Sequence, residues 1–204
     1  MSEQKKNFLD SRIYPVLFMI IVTVIFVGML ATFYQFTRER VNLYQKEQLN
    51  ITILQLFDLP TERLESNFQK FIQAKEKKNL KYYQAVKDSV ILGYCFPISG
   101  KGLWGRIDAL IALTPDLSKI IELEIIEQNE TPGLGGRITE SWFKKQFENK
   151  LIISNEVVQA FELISEGESN NDRQIQQITG ATASSKAIVD MIYNNVKLIK
   201  EFGI

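Results

Sequence analysis

The sequence predicts an α+β protein in which one N-terminal transmembrane helix precedes an antiparallel sheet packed with helices. Three observations predict it. Residues 13–37 carry no charged side chain. Between residues 80 and 128, short runs rich in Val, Ile, Leu and Tyr are separated by turn residues. After Thr182, the apolar residues Ala187, Ile188, Met191, Ile192, Val196 and Ile199 recur at three- and four-residue intervals, the period of one helix face.

The uncharged run comes first. Its 25 residues, at about 1.5 Å each, exceed the roughly 30 Å hydrocarbon core of a bilayer. Pro15 suits a first helical turn, and Tyr14, Phe33, Tyr34 and Phe36 suit the two interfaces. The competing reading is a cleaved signal peptide, but the run is longer than a signal core and no small-residue cleavage site follows it. Lys5, Lys6 and Arg12 before the run balance Arg38, Arg40 and Lys46 after it, so charge alone sets no orientation.

Residues 38–78 read as a juxtamembrane helical segment. One helix covers 41–57, with Leu49, Ile51 and Leu54 among its apolar positions, and ends at Asp58-Leu59-Pro60. A second covers 61–75, with Leu64, Phe68, Phe71 and Ile72 on one face. Residues 79–204 form the folded domain. Strands over 80–98 break near Lys87-Asp88, and those over 107–113 and 120–128 join through Thr114-Pro115-Asp116. The partial alternation in the last of these gives one wet and one buried face. A helix over 140–148 carries Trp142, Phe143 and Phe147, a strand covers 157–164, and a polar loop covers 167–172.

Composition excludes several chemistries. Twenty-four basic and 24 acidic residues cancel, which gives no electrostatic case for nucleic acid. Without histidine there is no His-based triad, no histidine-ligated haem and no usual zinc or copper site. A single cysteine, Cys95, permits neither an intrachain disulfide nor a protein-held iron–sulfur cluster. Electron transfer by this chain therefore requires an organic cofactor. Cys95 itself, in an apolar strand-like run, reads as a small buried hydrophobe.

Two stretches carry candidate chemistry. In Ile178-Thr179-Gly180-Ala181-Thr182-Ala183-Ser184-Ser185, Thr182 falls at a helix start, where unpaired amides and the macrodipole favour a phosphate. An ordinary N-cap at Thr179, Thr182 or Ser184 is the alternative. In Glu130-Thr131-Pro132-Gly133-Leu134-Gly135-Gly136, one proline and three glycines force a tight backbone that a flat ring can approach. A plain strand-to-helix connection is the alternative there.

Thr179-Gly180-Ala181-Thr182 resembles the flavinylation motif of a family of membrane-anchored electron carriers, the G subunit of the Rnf complex and the C subunit of the sodium-translocating NADH:quinone reductase. Glu130 to Gly136 matches a second signature of that family, and Gly100-Lys101-Gly102-Leu103-Trp104-Gly105 resembles the quinone reductase branch. One position departs: Gln176 stands where the family usually has an acidic residue.

The resemblance implies an FMN-binding domain over 79–204, with FMN held by a phosphoester to Thr182. It implies that Thr131 and Leu134 line the flavin ring, that Glu130 shapes its loop by accepting hydrogen bonds, and that the Gly133 and Gly135 backbone allows close contact. Gly180 and Ala181 leave room for the phosphate. Ser184 either donates to phosphate oxygens or caps the helix, and Trp104 packs at the flavin edge or in the core. Threonine is a poor nucleophile with no base nearby in sequence, so a separate flavin transferase using FAD is implied. The implied setting is the bacterial inner membrane, with a cytoplasmic tail over 1–12, the domain outside the cytoplasm, and contacts to lipid and to other subunits of an ion-translocating complex. No dinucleotide fingerprint follows a strand, so NADH is not bound. The open rivals are a non-redox membrane-anchored sensor or assembly module, and a family member in which Gln176 prevents modification.

Overall fold

The computed structural model describes residues 13–168, 171–201 and 203. The tail over 1–12, with Lys5, Lys6 and Arg12, lies outside the described residues, as does part of the polar loop over 167–172. The chain divides between Glu47 and Gln48 into two compact units.

The first unit contains most of helix α1 (Ile13–Gln55), which has a mean hydropathy of 2.8 in its most apolar 18-residue window, long and apolar enough to cross a membrane. Its apolar side chains from Val16 to Phe36 are exposed, except that of the half-buried Val22. Thr32 Oγ1 donates to the Gly28 carbonyl at 2.8 Å and Thr37 Oγ1 to the Phe33 carbonyl at 3.0 Å. These bonds satisfy the hydroxyls within the helix, as an apolar surrounding requires.

The second unit is built on a five-stranded antiparallel meander: β1 (Ile72–Lys77), β2 (Leu80–Lys87), β3 (Val90–Lys101), β4 (Arg106–Leu113) and β5 (Ile120–Glu127), paired in sequence order. β4 is buried on both faces. Ile107, Ala109, Ile111 and Leu113 enter one cluster, while Leu110 and Ala112 enter the other. The first cluster is closed by α3 (Ser141–Lys145) and α4 (Thr182–Glu201), through Phe143, Ile188, Ile192 and Val196. Burying each such side chain contributes about 1.5–3 kcal/mol. The second cluster is closed by Ile53, Leu54, Leu56 and Phe57 and by Phe71 of α2 (Leu64–Phe71). Cys95 lies in it, fully buried, and burial pushes its thiol up.

The structure alters several expected elements. The expected helix over 61–75 is shorter, and residues 72–77 of the expected juxtamembrane helical segment are strand β1. Lys78 and Asn79 both take positive φ, 49° and 67°. This turn folds β1 onto β2, and strand pairing overrides a helical pattern of only a few turns. Of the helix expected over 41–57, residues 41–55 are the end of α1 and residues 56–57 are a turn. The strand expected over 157–164 is split into β7 (Val157–Val158), paired antiparallel with β6 (Ile153–Ser154), and β8 (Glu162–Ile164), paired parallel with β9 (Gln174–Gln176). Between β7 and β8 Phe161 turns into the core against Phe147, with ring centroids 5.8 Å apart.

Candidate functional site

The site is built where α4 begins. Residues 178–181 form a turn in which the Ala181 amide donates to the Ile178 carbonyl at 2.9 Å and Gly180, the third residue, has φ +78°. That is the type II pattern, which requires positive φ where glycine stands. Ser185 closes the turn from within α4. Its buried Oγ accepts from the Ile178 amide at 3.0 Å and donates to the Ala181 carbonyl at 3.1 Å. Ala181 is buried, whereas Thr182, the first residue of α4, is exposed. The first amides of a helix have no intrahelical acceptor, so those of α4 are available to an anion placed at Thr182.

Glu130 joins this helix start to the other two motifs. Its carboxylate is buried, with 4% exposure. Oε1 accepts from the amides of Leu103 at 2.8 Å and Trp104 at 3.1 Å, and Oε2 accepts from Ser184 Oγ at 2.5 Å. Gly135 packs against both partners of the last bond: a Cβ there would meet Ser184 Oγ and stand 2.8 Å from Glu130 Oε2. Charge-assisted bonds of this kind are the strong ones.

The glycine-rich turn contributes a second contact. The Thr131 carbonyl accepts from the amides of Leu134 at 3.1 Å and Gly136 at 2.9 Å, with Gly133 at φ +75°. Leu134 Cδ2 lies 3.2 Å from where a Cβ on Gly180 would be, so the turn that carries Leu134 rests on the turn that precedes Thr182. Thr131 and Leu134 are exposed.

The structure narrows the expectations for Ser184 and Trp104. Ser184, expected to contact a phosphate or cap the helix, instead commits its one hydroxyl proton to Glu130. Trp104 is not a core residue, because it is 70% exposed. An open cavity of about 480 Å³ is lined by Leu103, Trp104 and other residues of the 99–106 stretch. An exposed hydroxyl at a helix start, an open backbone at Gly133 and the exposed apolar side chains Trp104 and Leu134 fit a flat cofactor with a phosphate tail. Among the described residues there is no group of His, Cys, Asp and Glu able to hold a metal ion.

Other residues join the site only through tertiary structure. Glu166 Oε2 accepts from the Thr179 amide at 2.8 Å, and Arg137 Nη2 reaches Glu166 Oε1 at 3.3 Å. The Thr179 amide foremost, then the Thr179 hydroxyl and Arg137, hold the Glu166 carboxyl below its usual range. Gln176 Oε1 accepts from the Gly167 amide at 3.1 Å and its Nε2 donates to the Glu168 carbonyl at 2.6 Å. No sequence signal marks Glu166 or Arg137, since neither lies in a motif.

A family model described as FMN-binding domain matches residues 102–197. The G subunit of the proton-translocating ferredoxin:NAD(+) oxidoreductase complex of Clostridium ljungdahlii is 34% identical over 139 residues, which cover 68% of this chain and 69% of that protein. The C subunit of the Na(+)-translocating NADH-quinone reductase of Neisseria meningitidis is 27% identical over 117 residues, 57% of this chain and 45% of that protein. The crystal structure of the C subunit of the same type of reductase from Parabacteroides distasonis shares the fold, with a TM-score of 0.67 and 21% identity, over 81% of this chain and 97% of that one.

Proposed function

The chain belongs to the family of FMN-binding subunits that includes these G and C subunits, and on that footing we propose that it relays electrons through FMN attached covalently to Thr182. It is a subunit of an ion-translocating oxidoreductase with an FMN-binding domain. The higher identity and coverage of the G subunit favour a complex of that type over the quinone reductase. In this reading α1 anchors the chain in the bacterial inner membrane, the domain lies outside the cytoplasm, and neighbouring subunits supply and accept the electrons.

One observation carries the proposal. Glu130 binds the Leu103 and Trp104 amides and Ser184 together, which ties all three motif segments to the helix whose first residue is Thr182. FMN, when bound, supplies electron transfer, and the protein supplies position and polarity. Thr182 Oγ1 bonds to the phosphorus on the riboflavin side of FAD as the anhydride P–O bond to AMP breaks, and the hydroxyl proton passes to a base of the flavin transferase. No oxidant or reductant is consumed. The first amides of α4 stabilise the resulting phosphodiester charge. Thr131, Leu134 and Trp104 offer exposed surface to the ring, and Gly133 leaves the backbone open. Covalent attachment keeps a cofactor working outside the cytoplasm from being lost by dilution.

The test is the intact mass of the chain purified from its native membrane, beside a Thr182→Ala variant. A gain of one FMN minus one water, absent from the variant, is the expected result. An unmodified, colourless chain from membranes containing an active transferase would overturn covalent attachment and favour a non-redox sensor or assembly module.

A further inference from the structure

We propose that Glu166 is a positioning residue for flavin attachment, holding in place, through Thr179, the turn that presents the Thr182 hydroxyl. The inference rests on the covalent reading above. A type II turn uses only the amide of its fourth residue, so the amides of its first and second residues, Ile178 and Thr179, bond elsewhere. Ile178 finds Ser185 Oγ, inside the same motif, so that bond moves with the turn. Thr179 finds Glu166 Oε2 at 2.8 Å, thirteen residues away in sequence. Of these two amide bonds, the Glu166 bond is the one that ties the turn to a separate stretch of chain, beside the packing of Ile178 and Ala181 in the core and of Gly180 against Leu134.

The carboxylate is itself held. Arg137 occupies its other oxygen at 3.3 Å, and Arg137 also pairs with Glu140. The loop that carries Glu166 is pinned by Gln176, through the Gly167 amide and the Glu168 carbonyl. Gln176 is gripped in turn by Gln146, whose Oε1 accepts from the Gln176 amide at 2.7 Å and whose Nε2 donates to the Gln176 carbonyl at 3.1 Å. The run from Gln176 to Ser185 contains no acidic residue. The turn thus takes its carboxylate from outside the motif. Both Glu166 oxygens are engaged, one by Arg137 and one by Thr179, which suits a fixed support and not a proton acceptor.

Holding a nucleophile in the attacking geometry is worth large rate factors, and a small displacement is costly. With Glu166 removed, the Thr179 amide loses a charge-assisted bond and the turn gains freedom next to the acceptor. The experiment uses the full chain as substrate for a purified FAD-dependent flavin transferase, with the gain in intact mass followed over time for the unaltered chain, Glu166→Ala and Glu166→Gln. Amide hydrogen exchange over 178–182 is measured on the same samples.

For Glu166→Ala the expected result is labelling slowed by about tenfold or more, mainly in kcat, with faster exchange at Thr179. Glu166→Gln, whose amide oxygen still accepts the Thr179 N–H, is expected to stay within about threefold of the unaltered rate. Labelling of Glu166→Ala at the unaltered rate would overturn the proposal, as would Glu166→Gln being as slow as Glu166→Ala, which would assign the effect to charge. Failure of the unaltered chain to be labelled would overturn the covalent reading and this one together, whereas the other two outcomes overturn this one alone.

Discussion

Ser184 Oγ donates to Glu130 Oε2 at 2.5 Å across 54 residues of sequence, and both side chains are buried. Because the other carboxylate oxygen holds the amides of Leu103 and Trp104, one side chain fixes the helix start and the 103–104 loop at once. Glu130 holds the loop from beneath, through hydrogen bonds, while the Leu103 and Trp104 side chains above it stay exposed.

Replacing Glu130 with Ala removes the acceptor of two part-buried amides and of the buried Ser184 hydroxyl, each at about 1–3 kcal/mol. The expected loss of stability is about 3 kcal/mol or more in urea unfolding of the detergent-solubilised chain, followed by tryptophan fluorescence. Glu130→Gln retains an oxygen for the two amides and should cost less than half as much. A Glu130→Ala chain as stable as the unaltered one would show that this carboxylate is not the tie.

Gly135 and Gly133 separate packing from backbone strain. A Cβ on Gly135 would enter the space of Ser184 Oγ and stand 2.9 Å from Glu130 Cβ, whereas a Cβ on Gly133 meets nothing within 4 Å but sits at φ +75°. Gly133→Ala should cost about 1–2 kcal/mol, the strain of a left-handed alanine. Gly135→Ala should cost about 1–3 kcal/mol and also disturb the Glu130–Ser184 bond, visible as faster amide exchange at Leu103 and Trp104. Equal exchange in the two variants would contradict this.

Gln176→Glu tests the loop beneath Glu166. The new carboxylate can still accept from the Gly167 amide, but it cannot donate to the Glu168 carbonyl as Gln176 Nε2 does. We expect a loss of about 0.5–1.5 kcal/mol in thermal unfolding, with Gly167 remaining protected from exchange. Loss of protection at Gly167 would show that the two bonds stand or fall together.

Asp116 should govern an acid transition in the turn between β4 and β5. Bonds from the Thr114 hydroxyl at 2.5 Å, the Ser118 hydroxyl at 2.7 Å and the Ser118 amide at 3.2 Å lower its carboxyl from 3.8 to about 2. The folded value is the lower one, so the stabilisation is fully present above the unfolded value and is lost as pH falls through about 2. The group is exposed, which keeps the effect small. An NMR titration of the Asp116 carboxyl checks it, and a midpoint near the ordinary aspartate value would refute it.

Much of the fold can be read from local pattern. The strands over 107–113 and 120–128 and the helix after Thr182 lie within one or two residues of β4, β5 and α4, because an almost unbroken apolar run marks β4, a partial alternation marks β5 and the helical period holds along α4. The strand Ile72–Lys77 is hidden because its turn uses Lys78 and Asn79 in place of the glycine that usually marks such turns. The split between β7 and β8 is hidden because Val157, Val158, Phe161, Leu163 and Ile164 look like one strand until Phe161 is seen to turn inward.

By itself the sequence determined the uncharged run over 13–37, the family motifs, the glycine at position 180 and the threonine that follows it at position 182. These are properties of residue type and local spacing, which set backbone freedom and side-chain chemistry without reference to the rest of the chain. Only the tertiary structure decided that Ser184 serves Glu130, that Trp104 is exposed, and that the carboxylate at the turn before Thr182 is Glu166. The physical reason is that a hydrogen bond is settled by where folding brings a donor and an acceptor together. Partners 13 and 54 residues apart are chosen by how the sheet and α4 pack.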